Sequence, residues 1–248
     1  MKITYIHHSS FIAEHENAIM LFDFFEGGNT SFKSLPPFDL KKHIYVFASH
    51  RHGDHFDPCI FKLFGLYENI TFILSKDIRI SDMYLSKKGI PLEIKEKIIF
   101  ISENDSVSLY NKNDIFKIET LKSTDEGVAF IIKYNGKTLY HAGDLNWWAW
   151  KEEDKQYNKN MEARFKKEID RLRDVYIDAA FLPLDLRQEE WYYLGFDYFM
   201  SVTNTQKAFP MHFWNDFSVI DKIISFSQIK DYRNKIAIIK NEGQEFYL

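Results

Sequence analysis

Short apolar runs, rich in β-branched and aromatic side chains, follow one another through residue 142 with polar segments between them. Runs of this length and composition predict β-strands. Asn135-Gly136 joins two such runs, and this pair between β-rich segments is a strong signal for a hairpin. The predicted strands are KITYI, SSFIAE, AIMLFDFF, KHIYVFAS, TFILS, KIIFIS, VSLY, IFKIETL, VAFIIKY and KTLYHA, with a turn at NKND.

The pattern changes after residue 155. Met161, Phe165, Ile169 and Leu172 recur at helical spacing with charged residues between them, which predicts a solvent-facing helix with one buried stripe. The segments 190–202 and SVIDKIISF also predict helices, and DAAFLPL, KAFPMHF, KIAIIK and QEFYL predict strands.

Two further helices are expected in the first half of the chain. In DPCIFKLFGLYE, Asp57 suits an N-cap and Pro58 the first helical position, and SDMYLSKKG predicts a second, short helix. No linker-like run of Gly, Pro or Ser and no clear repeat interrupts the 248 residues. We therefore expect one mixed α/β domain over residues 1–248.

Composition narrows the class of protein. Hydrophobic residues make up 45% of the chain and charged residues 27%, with a formal net charge of −4. The chain is not basic, so nucleic acid is an unlikely partner. There is a single cysteine, no secretory-type apolar segment at the start and no run of about 20 apolar residues. We expect a cytoplasmic protein without a membrane partner.

The segment SHRHGDHFD, residues 49–57, crowds His50, His52, Asp54 and His55 into six positions at the end of a predicted strand. Imidazole nitrogens and carboxylate oxygens suit zinc, manganese or iron. An H-x-H-x-D-H match arises by chance in roughly one chain in a thousand of this length. The alternative is a hydrated polar loop, and the pattern favours a metal site.

Two other segments place candidate ligands at strand ends. YHAGDLN carries Asp144 after one predicted strand, and FPMHFW carries His212 after another. Taken alone, Asp144 is consistent with a plain turn residue and His212 with a structural histidine. Their shared position after strands joins them to the histidine cluster as candidate ligands.

The motifs H-R-H-G-D-H, G-D-L and P-M-H-F resemble the ligand motifs of metallo-β-lactamase-fold hydrolases. The N-terminal KITYIHHSSFIAEHENAIMLFDFF resembles the bacterial branch that includes ascorbate-6-phosphate lactonases. The resemblance spans residues 2 to about 215 and implies a four-layer αββα sandwich. It also implies that one or two divalent metals are bound, zinc before manganese or iron.

The resemblance further assigns roles to single residues. His50 and His52 would bind one metal, with Asp144 bridging to a second. The second metal would take its remaining ligands from three residues: Asp54, His55 and His212. Hydroxide held between the metals would attack the substrate, and the catalytic residues would be Asp54, Asp144 and His8.

One family ligand is missing. The family has a further histidine between the cluster and the bridging aspartate, but this chain has no histidine from residue 56 to 140. Lys122 or Ser123 stands at the matching place, and a protonated lysine cannot ligate a metal. The first site could be empty, bind weakly, or hold the Lys122 ammonium in place of a cation. A substitute ligand is also open: His8, Glu119 or Asp125.

Other residues near these motifs carry weaker expectations. Asp23, at the end of a strand, suits a supporting carboxylate, and His7 and His8 are balanced between a strand-end role and a place near the site. His15 and His43 are expected at the surface. The aromatic rings following Asp144 suit either the core or a substrate pocket: Trp147, Trp148 and Trp150.

These observations lead to a metal-dependent hydrolase acting on a small ester, lactone or phosphorylated metabolite. A phosphodiesterase or nuclease on the same fold is the second interpretation, because a fold does not fix a function. A non-catalytic protein that binds metal or a ligand through a degraded first site is the third.

Overall fold

The computed structural model describes residues 1–27, 30, 33, 35–111 and 114–248. The chain forms two compact units. Unit 1 contains Met1–Ser102 and Glu242–Leu248, and unit 2 contains Glu103–Asn241. Each unit has one β-sheet with its own helices. The single-domain organisation stays a prediction.

Unit 1 holds a mixed seven-stranded sheet. Its strands are β1 (Lys2–His7), β2 (Ser10–His15), β3 (Ala18–Phe22), β4 (His43–Ala48), β5 (Ile70–Ser75), β6 (Ile98–Ile101) and β13 (Glu245–Tyr247), in the order β13-β1-β2-β3-β4-β5-β6. Neighbouring strands are antiparallel from β13 to β3 and parallel from β3 to β6. Its helices are α1 (Asp82–Lys87) and the 3-10 helices Pro58–Gly65 and Leu92–Lys97.

Unit 2 holds a mixed six-stranded sheet. Its strands are β7 (Ser106–Asn111), β8 (Asp114–Lys122), β9 (Val128–Tyr134), β10 (Lys137–His141), β11 (Tyr176–Pro183) and β12 (Asn204–Met211), in the order β12-β11-β10-β9-β8-β7. Strands β7 to β10 pair antiparallel, and β10, β11 and β12 pair parallel. Its helices are α2 (Lys155–Ile169), α3 (Leu194–Val202), α4 (Ser218–Ser225) and the 3-10 helices Asp170–Leu172, Leu186–Trp191, Ser227–Ile229 and Arg233–Lys235.

The hairpin between β9 and β10 turns at the predicted pair. Asn135 and Gly136 both have positive φ angles, 45° and 74°. Two successive left-handed residues make the turn that matches the twist of the flanking strands. The ladder continues directly outside the turn, where Lys137 pairs with Tyr134.

Helix α2 confirms the predicted stripe. Met161, Phe165 and Ile169 are buried at spacings of four, and the Asp154 side chain caps the helix by accepting a hydrogen bond from the Tyr157 N–H. The following 3-10 helix continues the buried face with Leu172. The charged residues between these positions leave the helix amphipathic, as the pattern predicts.

Parallel pairing places polar residues together within each unit, because parallel strands present their carboxyl ends at one sheet edge. In unit 1, Asp23 follows β3 and Ser49 follows its parallel neighbour β4. In unit 2, three parallel strands run toward Asp144, Asp185 and His212. The α/β fold with two mixed sheets and accompanying helices is confirmed.

Two local predictions are wrong in part, and a third concerns residues that the structure does not describe. KIAIIK forms only a single bridge, from Ile236 to Ala208, because burial of Ile236, Ala237 and Ile239 satisfies its apolar pattern without a ladder. The helix predicted over 57–68 is a shorter 3-10 helix, although Asp57 caps it as expected. The two central residues of NKND lie outside the described residues.

The surface assignment of His43 is also wrong, because its half-buried ring stacks on Tyr45 and its Nε2 lies 2.9 Å from Thr71 Oγ1. His15 is half-buried as well. Among the described residues, no helix combines the length and apolar character needed to cross a membrane.

Candidate metal-binding site

The end of β4 places the histidine cluster of unit 1. His50 and His55 are fully buried, Asp54 is half-buried and His52 is exposed. His50 Nε2 and His52 Nδ1 lie 3.0 Å apart, so the two rings direct nitrogen atoms at one point. His8, Asp54 and His55 each offer one ligand atom, and these three atoms lie within 4.8 Å of one another. The cluster is therefore a set of converging donors rather than a hydrated loop.

Asp23 fixes the orientation of His55. The Nδ1 atom of His55 lies 2.7 Å from Asp23 Oδ2, and Ser49 donates its hydroxyl to the same oxygen at 2.6 Å and its N–H to Oδ1 at 2.8 Å. A carboxylate on one ring nitrogen holds the proton there and leaves the other nitrogen as a metal donor. The His55 Nε2 lies 3.8 Å from Asp54 Oδ2. Asp23, buried with a φ of 41°, thus has the predicted supporting role.

His8 and Asp54 form the second pair in unit 1. His8 is buried, has a φ of 49°, and places Nε2 3.5 Å from Asp54 Oδ2. A positive φ is uncommon for a residue with a Cβ and is concentrated at functional sites. Burial opposes ionisation of Asp54, but the hydrogen bond from His8 and the charge of His55 outweigh it and hold the pKa of Asp54 below its usual value.

His7 points into a different environment. Its ring lies 4.3 Å from the Phe25 ring and 6.0 Å from that of Phe24, centroid to centroid. Burial lowers the pKa of His7 to about 4, so the ring is neutral at physiological pH. His7 therefore belongs to the core, whereas His8 belongs to the donor cluster.

Unit 2 brings Asp144 and His212 together. Asp144 follows β10, His212 follows β12 with a φ of 65°, and His212 Nε2 lies 3.4 Å from Asp144 Oδ1. Both side chains are buried. Asp125, which is exposed, offers a carboxylate oxygen within 4.8 Å of the ligand atom of Asp144. Unit 2 thus supplies two carboxylates and an imidazole.

Asp185 belongs to the candidate site and was missed from the sequence. His212 Nδ1 lies 3.0 Å from Asp185 Oδ2, and the Arg187 Nε donates to both Asp185 oxygens at 2.9 Å. Burial disfavours the Asp185 carboxylate, but hydrogen bonds with His212 and Arg187 hold its pKa below the usual range. The available signal was its place after β11, which lies between the strands leading to Asp144 and His212.

The tryptophans after Asp144 lie in different surroundings, and a role in a substrate pocket stays a prediction. Trp148 is buried, donates its indole N–H to the Asp144 carbonyl oxygen at 2.9 Å, and lies 5.3 Å from the His212 ring between centroids. Trp150 stacks on Trp148. Trp147 is half-buried and lines a cavity of about 310 Å³ together with Trp191.

A hydrogen-bonded network fixes the loop that carries Asp144. The Thr124 hydroxyl donates to the Asn146 carbonyl oxygen at 2.6 Å and accepts from the Asn146 N–H at 3.1 Å. The Asn146 side-chain amide donates to Gln188 Oε1 at 3.0 Å. All three residues are buried, so the loop that carries Asp144 is held in place by buried hydrogen bonds.

The structure argues against Lys122 as a substitute for the missing histidine. Its side chain is about half exposed and its Nζ pairs with Glu103 at 2.8 Å. Glu119, another candidate, pairs with Lys117 and Lys133. Asp125 is the residue of this segment that offers a donor beside Asp144.

The donor sets within the units fit a divalent metal. Each unit has a buried histidine whose Nδ1 is held by a buried carboxylate, and its Nε2 lies within 4 Å of an aspartate oxygen. This carboxylate–histidine arrangement is the one found behind histidines that ligate metals. Nitrogen and carboxylate donors together suit zinc, manganese or iron and do not by themselves choose among them.

Comparison with known proteins agrees with this chemistry. The UPF0173 metal-dependent hydrolase NEQ378 from Nanoarchaeum equitans is 30% identical over 151 residues, which cover 58% of this chain and 60% of that protein. A UPF0173 metal-dependent hydrolase from Carboxydothermus hydrogenoformans is 26% identical over 151 residues, covering 58% of this chain and 62% of the relative. The chain therefore spans about three fifths of the length of these curated relatives.

Solved structures show the same fold. Igni18, a metallo hydrolase from Ignicoccus hospitalis, aligns over 100% of this chain and 98% of its own with a TM-score of 0.62 at 20% identity. The short form of human tRNase Z aligns over 100% of this chain and 99% of its own with a TM-score of 0.59 at 11% identity. The family described as the β-lactamase superfamily domain matches residues 2–159. The chain therefore belongs to the β-lactamase superfamily and has its metallo-β-lactamase fold.

Proposed function

We propose that the chain acts as a metal-dependent hydrolase on a small ester, lactone or phosphorylated metabolite. One observation carries the proposal. In each unit a buried carboxylate orients a buried histidine, Asp23 for His55 and Asp185 for His212, and the other ring nitrogen, Nε2, lies within 4 Å of an aspartate oxygen. Asp54 and Asp144, the aspartates that face these histidines, would have their charge balanced by a bound cation.

The proposed ligands come from the three motifs H-R-H-G-D-H, G-D-L and P-M-H-F. Six residues are proposed as metal ligands: His50, His52, Asp54, His55, Asp144 and His212. We further propose that Asp125 replaces the absent histidine, because its carboxylate lies beside Asp144. An exposed carboxylate is a weaker partner than a buried imidazole, so the position served by Asp125 should bind its metal less tightly.

The chemistry would be hydrolysis by water. A bound divalent metal lowers the pKa of water toward neutrality and polarises the substrate oxygen. Asp54 and Asp144 are proposed to accept hydrogen bonds from the attacking water and keep it oriented. Because His8 holds Asp54 in its ionised form, Asp54 can do this across the physiological pH range. His8 Nε2 is proposed to exchange a proton with the reacting groups.

Metal content and turnover on one preparation test the proposal. Protein purified without chelators should contain a divalent metal, with zinc expected first, and should retain nearer one equivalent than two after dialysis. Hydrolysis of a panel of small esters, lactones and phosphoesters should require the metal, vanish on chelation and return on its readdition.

Matched variants sharpen this test. Asp144→Asn should abolish turnover and lower metal content, whereas Asp178→Asn should preserve both, because Asp178 is a buried carboxylate of unit 2 that pairs with Lys137 instead. Turnover that survives complete removal of the metal would refute the mechanism. Metal-replete protein with no turnover on any substrate class would indicate a binding protein instead.

A further inference from the structure

A cavity of about 270 Å³ lies in unit 2 beside the end of strand β8. It is smaller than pockets that enclose a whole drug-sized ligand, so it suits one chemical group of a larger molecule. Its lining combines basic side chains with two hydroxyl groups and one carboxylate: Lys122, Ser123, Thr124, Arg164, Lys167 and Glu168.

The charges around the cavity favour an anion. The cavity is lined by three cationic residues and one carboxylate, that of Glu168. Glu168 already forms an ion pair with the Arg171 Nη1 at 2.7 Å and accepts a hydrogen bond from the Lys122 N–H at 3.4 Å. Lys122 is itself paired with Glu103. The Lys167 side chain makes no ion pair or hydrogen bond with any other residue that the structure describes. An uncompensated cation therefore remains at the cavity.

Arg164 and Ser123 add directed donors. Arg164 donates one guanidinium N–H to the Thr124 carbonyl oxygen at 2.8 Å. Its other guanidinium N–H groups can donate to a bound group. The Ser123 hydroxyl is buried and accepts a hydrogen bond from the Asp125 N–H at 3.1 Å, which leaves its own proton to donate. The Thr124 hydroxyl, by contrast, is used by Asn146. The cavity thus offers a guanidinium, an ammonium and a hydroxyl to a bound group.

The cavity shares a short segment with the metal-ligand set. Ser123 and Thr124 line it, and the next residue, Asp125, has its carboxylate beside Asp144. Thr124 is tied to Asn146, two residues after Asp144. The cavity lining is therefore linked to two proposed metal ligands of the same unit, to Asp125 along the chain and to the loop of Asp144 by the Thr124–Asn146 hydrogen bonds.

We propose that this cavity binds the phosphate group of a phosphorylated small substrate, a group that is recognised rather than cleaved. Phosphate at neutral pH carries nearly two negative charges and three acceptor oxygens, which match the three kinds of donor. A carboxylate carries only one negative charge and would balance less of the positive charge at the cavity. The link to a substrate rests on the proposed hydrolase function, whereas phosphate binding itself does not.

Calorimetric titration of the metal-stripped full chain with inorganic phosphate tests the site without turnover. Lys167→Gln and Ser123→Ala should each weaken phosphate binding, the first by about tenfold, since a hydrogen bond to a charged group contributes on that scale. Lys117→Gln is the matched control on β8, because Lys117 pairs with Glu119 and does not line the cavity. Its phosphate affinity should equal that of the wild type.

Three results would overturn the proposal. If phosphate affinity is unchanged in both Lys167→Gln and Ser123→Ala, phosphate does not bind in this cavity. Acetate that binds as tightly as phosphate, with the same loss in Lys167→Gln, would make it a carboxylate pocket. A short single-stranded RNA that binds far more tightly than phosphate through Lys167 would make it part of a polynucleotide surface.

Turnover separates this proposal from the hydrolase function. With paired phosphorylated and unphosphorylated lactones or esters, Lys167→Gln should raise KM for the phosphorylated member by about tenfold and leave kcat nearly unchanged. An equal effect on both members would contradict phosphate recognition. If phosphate binds as expected but the panel shows no metal-dependent turnover, the hydrolase proposal fails and the phosphate site stands.

Discussion

The Nδ1 atom of His212 lies 3.0 Å from the Oδ2 atom of Asp185, and both residues are buried at the ends of adjacent parallel strands, β12 and β11. The Arg187 Nε donates to both oxygens of the same carboxylate. Asp185 thus holds the imidazole while Arg187 balances the charge of Asp185. The His212 Nε2 is left facing Asp144.

Asp185→Asn should therefore weaken metal binding by about tenfold to a hundredfold, the usual consequence of losing a carboxylate behind a ligating histidine. The amide keeps the size of the side chain but carries no charge to hold the His212 proton at Nδ1. Calorimetric titration of metal-stripped protein would measure the change. Asp178→Asn should leave the affinity unaltered, and equal affinities in wild type and Asp185→Asn would show that His212 needs no such support.

Asp125→Ala should lower the metal content of the weaker position, because it removes the carboxylate beside Asp144. Lys122→His, a change toward the family pattern, should leave metal affinity unaltered, since the Lys122 side chain pairs with Glu103 and is about half exposed. Elemental analysis after dialysis, with titration of the stripped protein, would compare both variants with wild type. Tighter metal binding in Lys122→His would show that residue 122, rather than Asp125, stands at the position of the missing histidine ligand.

Gly195→Ala should destabilise the loop that carries Asp144. A Cβ at residue 195 would overlap the Asn146 Oδ1 and come within 3.0 Å of the Trp147 N. Overpacking of this kind costs about 1–3 kcal/mol. Urea unfolding would show the loss, and metal affinity should fall with it because Asn146 must move.

Gly65→Ala is the control, because nothing lies within 4 Å of its added Cβ. It should keep the stability of the wild type within about 0.5 kcal/mol, the usual range for a surface substitution. Wild-type stability in Gly195→Ala would mean that the loop around Asn146 adjusts freely.

His43 should make stability depend on pH. Burial, with a further contribution from the charge of Lys97, lowers the pKa of His43 from 6.5 to about 4. Between these values the unfolded chain binds more protons than the folded chain, so the free energy of unfolding falls as pH falls from 6.5 to 4. His7, whose pKa burial also lowers to about 4, adds to the same decline.

His43→Gln should therefore lose less stability than wild type over this pH window, with part of the decline remaining because of His7. Unfolding midpoints in urea, measured on metal-stripped protein at several pH values from 7 to 4, would give both slopes. Metal removal keeps proton-driven release of the metal out of the comparison. Identical slopes in the two proteins would show that His43 titrates normally in the folded chain.

Local patterns in the sequence determined most of the secondary structure. Asn135-Gly136 predicted its hairpin because few other residue pairs accept two successive positive φ angles. The stripe of Met161, Phe165 and Ile169 predicted α2 because burial of one helical face requires that spacing. The strand predicted for KIAIIK was wrong, because an apolar segment can be buried while it forms only a single bridge. The local sequence does not distinguish a single bridge from a full ladder.

The sequence by itself also determined the candidate ligands His50, His52, Asp54 and His55, since four donors in six residues form a local pattern. Only the tertiary structure decided where the side chains of Asp185, Asp125 and Lys122 lie. Asp185 becomes recognisable when β11 pairs with β12 and places its carboxylate against His212. Lys122 and Asp125 are three residues apart, yet strand direction and the turn after β8 send one side chain toward Glu103 and bring the other beside Asp144.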